Sequence, residues 1–243
     1  MNTNPFETSS GLVRIPCRQY RHTAWKDLED WVTPETSLEV HWPGIPPRSL
    51  WAYPFELDRL AVGHACLELC IPGQIPTLNR EEDRNFFLSP AEADKDIFHP
   101  EALTPFTLSA STILKAMQAF IESAGRWDMT GCFHRAGVYD PGRGEFQNLV
   151  EDIGRHNCID RVAAWALASQ TRPADRVLFV SARVTASLLK KIIRAGFRMV
   201  ISRSATTTAS LALANEHAVT LVGFSRENRF TVFHDPDHII SRE

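Results

Sequence analysis

"RVLFVSARVTASLLKKIIRAGFRMVIS", residues 176–202, decides the fold. "RVLFV" is a short apolar run of β-branched and aromatic residues and reads as a buried strand. "TASLLKKIIRAG" carries its apolar residues at helical spacing, and Gly196 supplies the stop. "RMVIS" is a second strand. A strand, a helix and a strand of these lengths form a crossover unit, which is right-handed and lays its strands parallel. The same rhythm extends outward. Downstream come a helix, "TTTASLALANE", and two strands, "VTLVGF" and "RFTVFH". Upstream lie "GCFHRAGVYD" and "EFQNLV", strands joined by the turn "PGRG", and then the helix "CIDRVAAWALAS". The expected class is α/β, a mostly parallel sheet with flanking helices.

The region before this alternation reads differently. "SLEVHW" and "SLWAYP" flank "PGIPPR", a strand, a turn and a strand. "ELDRLAVGHACLELC" is a helix with Leu57, Leu60, Ala61, His64 and Leu67 at helical spacing, and "IPGQIP" ends it. Residues 79–105 are acidic and proline-punctuated and read as a long loop with one helical turn at most. "ASTILKAMQAFIESAG" is a helix with Ile113, Met117, Phe120 and Ile121 on one side. The organisation expected is a β-rich N-terminal part with its helix (1–78), a loop excursion (79–105) and an α/β ligand-binding domain (106–243). Residues 1–30 carry little pattern. Trp25, Trp31, Trp42 and Trp51 read as core or interface.

Composition sets limits. Of 243 residues, 44% are hydrophobic and 23% charged, the balance of a globular chain. The net charge of −3 argues against non-specific binding to nucleic acid or an anionic membrane. No run is long and apolar enough to span a bilayer, and the N-terminus lacks a signal pattern, so a cytoplasmic location is expected. Five scattered cysteines, Cys17, Cys66, Cys70, Cys132 and Cys158, read as free thiols.

In a parallel sheet the C-terminal strand ends open on one edge, where ligands bind. Four polar segments are expected there. "EDIGRHN" (151–157) brings Arg155, His156 and Asn157, with Asn157 expected to cap the next helix and Asp160 to return the capping bond. Ser181, Ala182 and Arg183 follow the next strand. Ser202 ends another, before Arg203, Ser204, Ala205 and Thr206. Phe224, Ser225, Arg226, Glu227, Asn228 and Arg229 follow the last parallel one. Guanidinium forks beside free helix N–H groups suit a phosphorylated or pyrophosphorylated ligand. Neither GxGxxG nor GxxxxGK[ST] occurs, which argues against an ordinary dinucleotide or P-loop site. Solvated arginine and serine loops are the plainer alternative for any one segment.

Several stretches, in order, match a known family: "LDRLAVGHACLE", "TGCFHRAGVYD", "EDIGRHNCIDRV", "SARVTASLLKKIIRAGF", "SRSATTTASLALA" and "TLVGFSRENRFTVFHDPDHI". The chain resembles the formate dehydrogenase accessory sulfurtransferases, the FdhD family, over roughly residues 35–239. The resemblance implies a cytidine deaminase-like main domain, a small β-rich N-terminal part and a homodimer. It implies sulfur transfer from a cysteine desulfurase to a molybdenum bis(molybdopterin guanine dinucleotide) cofactor destined for formate dehydrogenase, with a GDP-like ligand as the bound moiety. The family's cofactor-contacting segment falls on residues 224–229. The zinc signature of true deaminases is absent, so neither deamination nor a metal site is expected.

One departure is marked. The family provides a C-x-x-C pair on a loop that falls on residues 79–105 here, and this stretch has no cysteine. Cys132, two residues before His134, is the candidate replacement, because a thiolate needs exposure and a positive neighbourhood. Its plainer role is a small residue at a buried strand position. Cys158, at a helix start, reads as packing, as do Cys66 and Cys70. His134 and His156 are candidates for a phosphate contact or proton transfer, or for a hydrogen bond that fixes a loop. A protein that binds the cofactor but has lost the relay is the alternative reading.

Overall fold

The computed structural model describes residues 11–93, Phe98 and residues 104–241. The strands are β1 (Val13–Arg21), β2 (Ala24–Val32), β3 (Thr36–His41), β4 (Arg48–Ala52), β5 (Gln74–Glu82), β6 (Asn85–Glu92), β7 (His134–Asp140), β8 (Glu145–Asp152), β9 (Val177–Val180), β10 (Met199–Ser202), β11 (Thr220–Arg226) and β12 (Arg229–His234). The helices are α1 (Leu57–Glu68), α2 (Ala110–Glu122), α3 (Trp127–Thr130), α4 (Arg155–Ser169), α5 (Ala186–Arg194) and α6 (Thr208–Glu216).

The main sheet has the order β12-β11-β10-β9-β7-β8. The α/β class holds, but parallel pairing is confined to β9, β10 and β11. β7 runs antiparallel to both β9 and β8, and β12 closes the other side antiparallel to β11. The "PGRG" hairpin accounts for the mixture: a tight turn forces β8 to reverse against β7. Both faces of the sheet are covered, which is why its central strands read as unbroken apolar runs. Leu178, Val180 and Val200 point with Ile159, Val162, Leu188 and Leu189 of α4 and α5. Val177, Phe179, Met199 and Ile201 point the other way, onto Ile113, Met117 and Phe120 of α2.

The N-terminal part holds a second sheet of order β4-β3-β6-β5 packed on α1, with Leu38, Val40, Phe86, Leu88, Leu60 and Ala65 at its core. This corrects the loop expected at 79–105: residues 79–92 lie in the β5–β6 hairpin. The remaining 94–97 and 99–103 fall outside the described residues. The hairpin turns on Asp83 and Arg84, both at positive φ (49° and 67°). Residues 1–30 also hold more than expected, since β1 and β2 pair across a turn at His22 and Thr23 (φ 48° and 67°). Two-residue turns of this hand usually contain asparagine or glycine, and neither does here. Trp25 and Trp51, expected in a core or interface, are 70% and 61% exposed in the single chain.

α1 joins the two sheets. Gly63 lets it approach α4 so closely that a Cβ there would lie 1.8 Å from the Asp160 carbonyl oxygen.

Candidate functional site

The charge packed into residues 151–161 has two uses. Part of it is structural. Asp152 is fully buried and accepts from the Arg161 guanidinium (2.9 Å) and the Asn157 amide (2.8 Å). Asn157 also donates to the Trp51 carbonyl at 2.8 Å, and Arg161 to those of Phe55 (2.7 Å) and Tyr53 (3.2 Å). These bonds tie α4 to the connector between β4 and α1. Asn157 is therefore not the helix cap: Gly154 occupies that position and α4 begins at Arg155. Asp160 returns no capping bond either. It is buried and accepts from the Lys191 ammonium at 2.8 Å.

A second buried pair was not read from the sequence. Arg135 bonds Glu151 at 2.7 Å and donates to the Phe120 (2.7 Å) and Ser123 (2.9 Å) carbonyls, closing the end of α2. Glu151 also accepts from the backbone N–H groups of Arg126 and Trp127 at the start of α3. The signal was a charged residue inside an apolar strand, which needs a buried partner.

The other part faces the sheet edge. β8, β9, β10 and β11 run the same way, so all four end there, and β7 starts there with His134 opposite Asp152. The edge thus gathers His134, Arg155, His156, Arg183, Ser204, Thr206 and residues 224–229. Burial, then the positive charges of Arg155 and Arg183, hold the His134 imidazole below its ordinary pKa. Burial, then Lys191 and Arg155, do the same to His156, whose Nε2 lies 3.3 Å from the Ser187 hydroxyl. Burial first, and the neighbouring cations second, disfavour the protonated form of both rings. The Arg155 Nε and the Ser225 hydroxyl are buried without a hydrogen-bond partner.

Several expected residues serve the scaffold of this edge. The Ser202 hydroxyl is fully buried, donates to the Ala182 carbonyl at 2.8 Å and accepts from the Ser204 N–H. The Thr206 hydroxyl lies 2.6 Å from that of Ser210. The Phe224 N–H donates to the Ser204 carbonyl at 2.9 Å, and Phe224 itself sits at φ 52°, a strained value for a bulky residue. Glu227 (φ 50°) and Asn228 form the exposed turn between β11 and β12, where Arg226 pairs with Arg229.

Among the cysteines the structure discriminates sharply. Cys158 is buried, its thiol directed at the His134 carbonyl (3.4 Å), and burial pushes its pKa well up. Cys66 is buried, and burial pushes half-buried Cys70 up to about 11. Cys132 is exposed, in the loop between α3 and β7. This corrects its expected place at a buried strand position. No group of three His, Cys, Asp or Glu among the described residues could hold a metal.

Fold and edge together define a class: a mixed α/β protein with arginines and histidines gathered at one sheet edge and an exposed thiol, Cys132, two residues from His134. The FdhD/NarQ family model matches residues 85–240, and the chain belongs to that family. It is 34% identical over 256 residues to the sulfur carrier protein FdhD of Geobacillus kaustophilus, covering 93% of this chain and 97% of that one. It is 28% identical over 224 residues to protein FdhD of Methanocaldococcus jannaschii, covering 91% and 96%. The fold matches the crystal structure of a candidate formate dehydrogenase accessory protein from Desulfotalea psychrophila with a TM-score of 0.78. That match has 22% identity and covers 94% of this chain and 99% of that one.

Proposed function

We propose that the protein is an accessory factor for formate dehydrogenase that holds a molybdenum bis(molybdopterin guanine dinucleotide) cofactor as cargo along the sheet edge. On this reading it also passes sulfur to that cargo from a cysteine desulfurase through Cys132. The observation that carries the reading is the convergence of His134, Arg155 and Arg183 with an exposed thiol two residues from His134. The residues fit a pyrophosphate-bearing cargo: two histidines held neutral, guanidinium groups and a buried, unpaired Arg155 Nε are donors in want of an acceptor.

In the sulfur step the Cys132 thiolate attacks the outer sulfur of the desulfurase persulfide. The new S–S bond forms as the old one breaks, and the donor cysteine leaves as thiolate. A neutral His134 is suited to accept the Cys132 proton. The protein works as a homodimer in the cytoplasm on this reading.

The absence of any cysteine from residues 79–105 favours a second reading, a cofactor-holding protein without a relay. Intact mass after incubation with a desulfurase and cysteine separates the two. A gain of about 32 Da that reductant removes, and that is lost in Cys132→Ala, is expected for the relay. A wild-type protein that binds GDP and gains no mass would leave the holding function alone.

A further inference from the structure

β1 and β2 form a ribbon of two nine-residue strands in which no residue is buried. Among the described residues, none of the ribbon's side chains joins the three apolar cores. Opposite residues of an antiparallel pair share a face, so the register sorts the ribbon into two faces. One is satisfied across the strands. The Arg14 guanidinium lies 4.5 Å over the Trp31 ring, Arg18 bonds Asp27 at 2.8 Å, and the Tyr20 and Trp25 rings stand 5.2 Å apart. The other face carries Val13, Val32, Ile15, Cys17 and Leu28. Val13, Ile15 and Val32 are between 41% and 50% exposed, and Asp30, opposite Ile15, turns its carboxylate to the Trp31 N–H. A two-stranded ribbon is marginal by itself in water, so this apolar face needs a cover.

The ribbon springs from beside a second exposed patch. Gly11, at its root, abuts the Tyr53 hydroxyl, and Trp51 and Phe55, two residues before and after Tyr53, are exposed. At the other strand's end the Thr33 hydroxyl lies 3.0 Å from that of Thr130, which accepts from the Cys132 N–H. We propose that the ribbon is a dimerisation arm. Its apolar face clasps the Trp51–Phe55 surface of a second copy of this chain, and the second copy's arm returns the contact. The proposal takes the homodimer of the reading above and gives it a surface. Area decides the occupant. A ribbon of this length is about 30 Å long and about 10 Å wide, so one face covers about 300 Å². A single docking on an unrelated protein buries about 600 Å² in total, the size of a packing contact. Two-fold reciprocity doubles this to about 1,200 Å², where stable interfaces begin. The arm also borders the site it would complete, since the Arg126 guanidinium that stacks over Phe55 leads into α3 and the Cys132 loop.

Sedimentation equilibrium on the full chain tests this, with wild type expected to be dimeric at about 10 μM. Ile15→Lys puts a charge on the apolar face, and two-fold symmetry counts it twice, so the dissociation constant should rise at least about a hundredfold. Glu29→Lys puts the same group on the opposite face and should leave the dimer intact. Ile15 is exposed in the single chain, so the variant folds, and hydrogen exchange checks it. Amides of β9 and β10 should stay protected, while those of β1 and β2 lose protection in Ile15→Lys alone. A dimer that persists in Ile15→Lys overturns the arm and keeps the homodimer. Equal weakening by Glu29→Lys overturns the assignment to the apolar face. A monomeric wild type overturns arm and homodimer together, and leaves the cargo reading to the GDP and intact-mass measurements.

Discussion

Cys158 and Cys132 show how far one residue's chemistry depends on its surroundings. Cys158 stands three residues into α4, where free N–H groups favour a thiolate. Its burial against the His134 and Asp152 carbonyls outweighs that, and Asp152 adds a repelling charge. The thiol therefore stays protonated in the folded chain. As pH rises through the ordinary value of 9.0 the unfolded chain ionises and the folded one does not, so this residue lowers stability in alkali. Alkylation with iodoacetamide at pH 8, mapped by peptide mass, is expected to label Cys132 rapidly. Cys158 should label only in denaturant. Labelling of both at one rate would contradict the burial described above.

At the scale of elements, the contact between α1 and α4 carries the most consequence. It is the joint between the small sheet and the main one, and it aligns the Asp152–Asn157–Arg161 cluster with the connector after β4. Gly63 is the point of closest approach. A methyl group at 1.8 Å from a backbone oxygen has no flexible neighbour to displace. Gly63→Ala is therefore expected to cost at the upper end of the ~1–3 kcal/mol typical of overpacking, or more. The urea unfolding midpoint should fall with an unchanged slope. A midpoint within error of wild type would show that the helices can separate without loss. The β1–β2 and β5–β6 hairpins illustrate the opposite case, elements that local sequence hides. The turn at His22–Thr23 adopts positive φ without a residue that announces it, and at Asp83–Arg84 only the first residue, an aspartate, is of a favoured type.

Across the whole molecule the sheet edge acts as one electrostatic unit. His134 and His156 are both held below the ordinary histidine pKa, by burial first and by neighbouring cations second. In the ligand-free protein at pH 7 both are therefore neutral. A pyrophosphate brought beside them reverses the local field and raises both pKa values, so binding takes up protons. Affinity for GDP is then expected to rise as pH falls from 8 to 6. It should also weaken with added salt, as screening predicts. Calorimetry in two buffers of different ionisation heat measures the proton count directly. Binding without proton uptake would place the phosphates away from both rings.

By itself the sequence determined the strand–helix alternation from β7 to β12, the two helices before it, and the residues that gather at the edge. Each rests on local periodicity or on a contiguous motif, and such signals survive without the rest of the chain. Tertiary structure alone decided which polar groups of that edge face outward. In "EDIGRHNCIDR", Asn157, Asp160 and Arg161 turn inward to partners more than a hundred or some thirty residues away and Asp152 is buried against Asn157 and Arg161, while Arg155 and His156 remain at the edge. The antiparallel placement of β7, the burial of Cys158 and the exposure of Cys132 were decided the same way. Burial and ion pairing are properties of neighbours distant in the chain, and a linear pattern carries no record of who those neighbours are.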